Sequence, residues 1–315
     1  MRKVLVLGGA GFVGSWITER FCRAGDHVTV IDGLMPRTGG RAENLKKVAD
    51  QITFIREAVE AVEGLPDLIS DNNVIVDAMG WTAHNSAIEN QLYDAQLNCL
   101  SHLHVIPHLV GRDDLQLIYL GTRVQYGRPD TAVVTESAPL VPVDVQGIHK
   151  VAGESYYRVF SERMGFNAVS LRLSNCYGER QPKTGEDIGL VGGFIRSLVE
   201  GERVEVYEGG RKRCLIYAGD LAELVLQLCE IGWRGFSVFN YAGLTVSVED
   251  LVDAIIQHTG CGSYEKKPLP DSVARLEMGN VDYNDAALAS FLGEITSTPL
   301  GESLARTVEY FRSED

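Results

Sequence analysis

The stretch Gly8-Gly9-Ala10-Gly11-Phe12-Val13-Gly14 constrains this chain more than any other. An apolar run, Val4-Leu5-Val6-Leu7, leads into it, and an amphipathic stretch from Ser15 to Arg23 leads out. Strand, glycine turn and helix is the context that gives such a glycine pattern meaning for dinucleotides. Gly8 permits the tight turn, Gly11 lets the backbone approach a pyrophosphate, and Gly14 lets the helix sit close on the sheet. Phosphates then lie at the helix N-terminus, near Phe12 and Val13, where free N–H groups favour an anion. A second apolar run, His27 to Ile31, ends on Asp32-Gly33. An acid at that distance hydrogen-bonds the adenosine ribose hydroxyls and repels a 2′-phosphate, so the spacing predicts NAD over NADP. Arg37 and Arg41 lie near enough to keep NADP as the alternative.

Alternation continues beyond this unit. Apolar runs at 3–7, 27–31, 51–55, 73–78, 115–120 and 168–173 read as buried strands. Helical patterns fall at 12–24, 40–49, about 88–110 and about 147–164. Strands alternating with helices predict an α/β fold, a Rossmann-like doubly wound parallel sheet covered on both faces. After Gly178 the pattern becomes shorter and more mixed, and it predicts a smaller C-terminal α+β portion. The expected division is 1–178 for the dinucleotide, with help from later segments, and 179–315 for a second ligand. A cleft between the two is the expected binding site.

Composition narrows the partners. The net charge of −14 disfavours nucleic acid and anionic membranes. No apolar run reaches a membrane-spanning length, and the basic start breaks at once into glycines, unlike a signal peptide. A cytoplasmic protein is expected. Cys22, Cys99, Cys176, Cys214, Cys229 and Cys261 are scattered and form no Cys-x-x-Cys pair, so they read as reduced, mostly buried thiols. His102, His104 and His108 lack the Glu of a zinc motif. They read as surface or interface histidines, and no metal is expected.

Three further stretches bear chemistry. Gly121-Thr122-Arg123-Val124-Gln125-Tyr126-Gly127 follows a predicted strand, Gln146-Gly147-Ile148-His149-Lys150 opens a predicted helix, and Leu171 to Gln181 follows another strand. With the glycine turn, Asn98 and the segment Arg213 to Asp220, their order resembles the extended short-chain dehydrogenase/reductase family, and within it the NAD-dependent nucleotide-sugar epimerases and dehydratases. The resemblance runs almost end to end. It implies NAD in the N-terminal part and a nucleoside-diphosphate sugar in the C-terminal part. It also implies oxidation of a sugar hydroxyl, C4 in the usual case, followed by epimerisation or dehydration with return of the hydride.

Carried over residue by residue, the resemblance assigns Thr122 to the reacting hydroxyl and Lys150 to the nicotinamide ribose. It assigns Asn175 and Arg213 to the diphosphate, the segment Gly189 to Phe194 to the nucleotide, and Val206-Tyr207 to its base. Three departures matter. Gln146 stands where the family has its catalytic tyrosine, and an amide hydrogen-bonds but does not titrate. Arg123-Val124 stands where the 4,6-dehydratases have Asp-Glu. Ala58 replaces an aspartate near the adenine. The missing proton carrier is therefore sought among Tyr126, His149 and Tyr177, although His149, one residue from Lys150, can point away from the cofactor. The expected activity is an unusual nucleotide-sugar dehydratase, with a 4-epimerase as alternative and a non-catalytic NAD(H)-binding sensor or scaffold as the alternative of another class. A homodimer through the helices at 88–110 and 147–164 is expected, using Leu97, Leu100, Leu103, Val151, Tyr157 and Phe160.

Overall fold

Alternate residues of each central strand enter different cores. Val4, Val6, Val28, Val30, Val74, Val76, Ile118 and Leu120 join one cluster, while Leu5, Leu7, Ile75, Leu117 and Tyr119 join another. Both faces of the sheet are therefore dry, which is why its strands read as unbroken apolar runs rather than alternating ones. The computed structural model describes residues 1–270 and 280–313. Seven strands make the sheet, in the order β3 (Ile52–Ile55), β2 (His27–Ile31), β1 (Lys3–Leu7), β4 (Val74–Asp77), β5 (Gln116–Thr122), β7 (Asn167–Leu173) and β11 (Phe236–Tyr241). All six pairings are parallel. The short strand β6 (Val133–Val134) lies outside this sheet and pairs with Asp282–Tyr283. The chain runs outward from β1 through β2 to β3, then crosses to β4 on the other side of β1. That reversal is the switch point at which open α/β sheets bind ligands beyond the carboxyl ends of their strands.

Helix α1 (Phe12–Arg23) packs on one face, with Ile17 and Phe21 fully buried. It shares that face with α8 (Ala218–Ile231), whose Leu221 and Val225 enter the same core. On the other face lie α2 (Leu65–Asp71), the long helix α6 (Val145–Met164) and residues 101–109. The predicted helix over 88–110 is broken. It consists of α3 (His84–Glu89), α4 (Gln91–Ala95), a π turn (Gln96–Leu100), α5 (Ser101–Val105) and a 3₁₀ turn (Ile106–His108). The segment at 40–49 is likewise a 3₁₀ helix, Ala42–Val48. Of the three histidines expected at the surface or an interface, His102 is fully buried against Asp77, with 2.7 Å between Nδ1 and Oδ2.

The later chain builds a second body of core. α7 (Gly189–Val199), α9 (Val248–Thr259) and the helix Leu300–Arg312 pack Ile195, Leu251, Ile255, Leu304 and Val308 together. β8 (Asn175–Tyr177), β10 (Lys212–Tyr217) and β12 (Leu244–Ser247) form a small sheet beside it. β9 (Arg203–Tyr207) pairs with the strand Ser263–Lys267. β11 and α8 return to the large sheet, so chain order and layer do not coincide in this half. All six cysteines are free, and four of them are buried. Among the described residues no helix is long and apolar enough to cross a membrane.

Candidate active site

A cleft of about 640 Å³ opens at the carboxyl ends of β1, β2, β4, β5 and β7. Its floor is the glycine turn. Gly8 has φ +74°, and a Cβ there would lie 2.8 Å from the Ala78 carbonyl oxygen. A Cβ on Gly14 would lie 2.2 Å from the Gly8 carbonyl oxygen. Neither position accepts a side chain without moving backbone, and the groove they keep open is the cradle a pyrophosphate needs. Gly8, Gly11, Phe12, Val13 and Gly14 all line it. Asp32 closes the next wall. Its carboxylate accepts from Ala10 N at 2.9 Å and Leu34 N at 2.8 Å, which ties the end of β2 to the glycine turn. Burial pushes its pKa up, against those hydrogen bonds. Gly33 lies against Ala58, and both line the cleft. Arg37 is paired with Glu186 at 2.8 Å, and Arg41 donates to the Tyr310 hydroxyl.

The opposite wall comes from β5 and α6. Thr122 ends β5 and caps the turn that follows, its hydroxyl accepting from Val124 N at 3.4 Å and its own N–H donating to Gln125 Oε1 at 2.8 Å. Asp144 caps α6, accepting from Gly147 N at 2.7 Å. This cap sets the register that places Gln146 and Lys150 one turn apart on the buried side. Gln146 Nε2 donates to the Trp81 carbonyl at 2.8 Å, while its Oε1 is buried with no partner among the described residues. Lys150 Nζ donates to the carbonyls of Met79 and Leu120, each at 3.1 Å. Burial pulls its pKa down to about 8, although Asp77 and Asp94 oppose the shift. Asn98, in the π turn, bonds the Trp81 backbone on both sides, accepting at 3.1 Å and donating at 2.9 Å. π turns recur at functional positions, and this one turns an asparagine toward the segment on which Lys150 and Gln146 also rest.

At the far end, Asn175 accepts from Arg123 Nη2 at 3.0 Å and donates to the Cys214 carbonyl at 3.0 Å. Arg213 lies beside them. Burial, with Arg211 and Arg123 nearby, lowers its pKa to about 10. Thr122, Gln146, Lys150, Asn175, Arg213, Arg123 and Gly189 to Val191 thus share one cleft with the glycine turn.

Tyr126, His149, Tyr177, Val206 and Tyr207 do not line this cleft, nor do Gly192 to Phe194 of the segment expected at the nucleotide. Tyr126 is buried, its hydroxyl donating to Asn240 at 2.6 Å and accepting from Arg172 at 2.7 Å. Its burial raises the pKa. His149 sits next to Lys150 in sequence but points off another side of α6, with Nδ1 2.6 Å from the fully buried Asp94. Tyr177 bonds Ser303 at 2.6 Å within the second core, and burial pushes its pKa to about 12. Val206 is part of that same core. The ring of Tyr207 stacks under the Arg211 guanidinium at 5.6 Å. Conversely, the cleft contains residues that carried no sequence signal. His84 pairs with Asp144 at 2.8 Å. Asp187 accepts from Thr82 N at 3.1 Å and from its hydroxyl at 2.7 Å. Each pair joins positions far apart in sequence, and no short motif encodes it.

The sequence profile of the NAD dependent epimerase/dehydratase family matches residues 4–240. The chain belongs to that family. NAD is its cofactor, and the cradle described above fits the dinucleotide. A putative UDP-glucose 4-epimerase of Methanocaldococcus jannaschii is 28% identical over 98% of both chains. A dTDP-glucose 4,6-dehydratase of Streptomyces niveus is 25% identical over 98% of this chain and 93% of its own. The structure of the Thermus thermophilus UDP-glucose 4-epimerase in complex with NAD superposes with a TM-score of 0.83, at 25% identity over 98% of this chain and 99% of that one. Family members thus include both epimerases and a dehydratase, and the chain is an enzyme of that nucleotide-sugar kind.

Proposed function

We propose that this chain is a nucleotide-sugar 4-epimerase, with a UDP-sugar as substrate. The observation that carries the choice over dehydration is the turn after β5. Elimination of water needs an acid for the leaving hydroxyl and a base for the neighbouring C–H. Here the two residues after Thr122 are a cation, Arg123, and a buried apolar side chain, Val124. Epimerisation asks less: one hydroxyl proton leaves and returns. The expected lean toward a dehydratase therefore gives way to the epimerase.

In this reading Gly8 to Gly14 and Asp32 hold NAD, which takes and returns a hydride when bound. Lys150, fixed by two carbonyls, presents a positive charge to the nicotinamide ribose. The Thr122 hydroxyl and the buried Gln146 Oε1 orient the sugar hydroxyl, and Gln146 does so without exchanging a proton. Arg213 and Asn175 hold the diphosphate, for which a guanidinium fork is suited. Positioning of sugar against cofactor is most of the protein's contribution. Two copies pair through α6 and the broken helix.

The deciding experiment incubates the enzyme with NAD and a panel of UDP-, dTDP- and GDP-sugars. Mass spectrometry and proton NMR should find a product of unchanged mass with inverted C4. A product lacking the elements of water would instead establish a dehydratase. Binding without any product would establish a sensor.

A further inference from the structure

We propose that His84, oriented by Asp144, is the proton carrier of this active site. The proposal rests on the nucleotide-sugar reading above, since it names the group that exchanges the sugar hydroxyl proton. Three observations converge on the pair. First, His84 lines the cleft, with its side chain 45% exposed, so a bound sugar can reach it. Second, the imidazole has a built partner. Asp144 gives one oxygen to the α6 cap through Gly147 N at 2.7 Å and the other to His84 Nδ1 at 2.8 Å. An oriented carboxylate of this kind fixes the ring and its tautomer, keeps the proton on Nδ1, and leaves Nε2 as the basic site. Third, Asp144, the partner of His84, stands beside the reacting end. A Cβ on Gly147 would come within 2.9 Å of the Val124 carbonyl oxygen and 3.0 Å of Asp144 Oδ1, so the first turn of α6 packs directly on the Thr122–Val124 turn. Gln146 follows Asp144 by two residues in that same turn.

The charged surroundings of His84 come from three elements. Asp144 faces it from the cap of α6, Asp187 acts on it from the loop before α7, and Arg123 lies close enough to act on Asp144 from the end of β5. Burial alone would raise the Asp144 carboxyl, but the hydrogen bond and charge of His84 hold it below the usual range. Asp144 thus remains ionised and acts as a positioning residue.

The step balances with what the family supplies. The O–H proton of the sugar hydroxyl would pass to His84 Nε2 as the C–O bond becomes a carbonyl, and NAD, when bound, would supply the acceptor for the hydride that leaves the carbon. Return of hydrogen to the opposite face is matched by return of the proton from the imidazolium to oxygen. Nothing is consumed.

The test uses the full chain loaded with NAD, with His84→Gln and Asp144→Asn as variants and UDP-glucose as the probe. Glutamine keeps a donor for Asp144 but cannot titrate. UDP affinity of His84→Gln, read by calorimetry, should stay within about threefold of wild type, which shows an intact site. Turnover should fall by about 10²–10⁴. The acidic limb of the wild-type pH–rate profile should disappear in His84→Gln. In Asp144→Asn it should move while UDP affinity is kept. Independently of turnover, the ¹³Cε1 signal absent from His84→Gln should shift in the wild-type spectrum when UDP-glucose is added. Wild-type turnover with a His84→Gln variant that keeps its rate or its acidic limb overturns the proposal while leaving the epimerase reading intact. An unmoved His84 signal also overturns it. Absence of wild-type turnover on any sugar overturns both.

Discussion

Replacing Lys150 by methionine should change how stability depends on pH, and the structure sets the size of the effect. Lys150 is 6% exposed and rests between two carbonyl oxygens at 3.1 Å. Burial outweighs the attraction of Asp77 and Asp94 and lowers its pKa from 10.5 to about 8. In the unfolded chain the lysine keeps its proton up to about pH 10.4. Between those values the unfolded state binds a proton that the folded state has lost. Stability from this group therefore rises with pH through the window, by about 1.4 kcal/mol per pH unit and about 3 kcal/mol in all. Below pH 8 both states are charged and above 10.5 both are neutral, so the contribution is flat outside the window. Lys150→Met removes the titration. It also strips a donor from two carbonyls, at about 1 kcal/mol each, but that cost does not depend on pH. Urea unfolding of both proteins without cofactor, at half-unit steps from about pH 7 to 10.5, gives the difference in stability. Subtraction cancels the tyrosines and thiols that the two proteins share. The wild type should gain about 3 kcal/mol on the variant across the series. A difference that stays flat refutes the claim that Lys150 is held in a charge-hostile site.

Gln146→Ala should slow turnover by roughly three- to tenfold, the worth of a neutral hydrogen bond of about 0.5–1.5 kcal/mol; steady-state kinetics showing a loss above a hundredfold would mean that glutamine does more than position the sugar. Asp32→Ala should weaken NAD binding and erase its advantage over NADP, because the carboxylate both anchors Ala10 and Leu34 and repels a 2′-phosphate; titration calorimetry with the two cofactors decides it, and an unchanged preference counts against the assignment. Light scattering at micromolar concentration should give a dimer. Of the residues the sequence suggested, Tyr157 is fully buried and Leu97 nearly so, whereas Leu100 is exposed, as are Ile88, Leu92, Ile148, Tyr156, Val159 and Met164 on the same two stretches. A monomer would leave that apolar strip without an explanation.

How far the fold could be read from the chain follows from which forces are local. The strands were legible because a sheet buried on both faces needs apolar residues at every position, and those runs are visible without tertiary knowledge. The glycine turn was legible because its residues are required by backbone sterics within seven positions. The helix over 88–110 was misread because apolar spacing does not register a change of helix type. Its breaks at Asn90 and in the π turn place Asn98 and Asp94 to satisfy the Trp81 backbone and His149, partners outside the helix. Proximity in sequence misled at His149, which neighbours Lys150 along α6 but is rotated about a quarter turn or more around it. His84 went unseen for the converse reason, since its partner Asp144 lies 60 positions away.

The segment after β4 explains why so many of these residues depend on one another. Lys150 bonds the Met79 carbonyl, Asn98 bonds both sides of Trp81, and Gln146 shares the Trp81 carbonyl with it. The Trp81 indole donates to the Arg37 carbonyl, and Thr82 is held by Asp187. Four otherwise separate parts, α6, the π turn, the loop after β2 and the loop before α7, therefore converge on four consecutive residues. Gly80 stands in the middle, and a Cβ there would approach Asn98 Oδ1 to 2.8 Å and Lys150 Nζ to 3.1 Å. Any side chain at that position must displace one of the two, and displacing Asn98 frees the Trp81 carbonyl on which Gln146 rests. The glutamine is thus part of a backbone-anchored frame, and its amide N–H₂ supplies a donor to the Trp81 carbonyl that a phenol in the same place would have to match with its single O–H. That requirement gives glutamine a physical reason to occupy the position, and under the proposed function it would divide two duties: holding the substrate on α6, and proton exchange at a group that titrates.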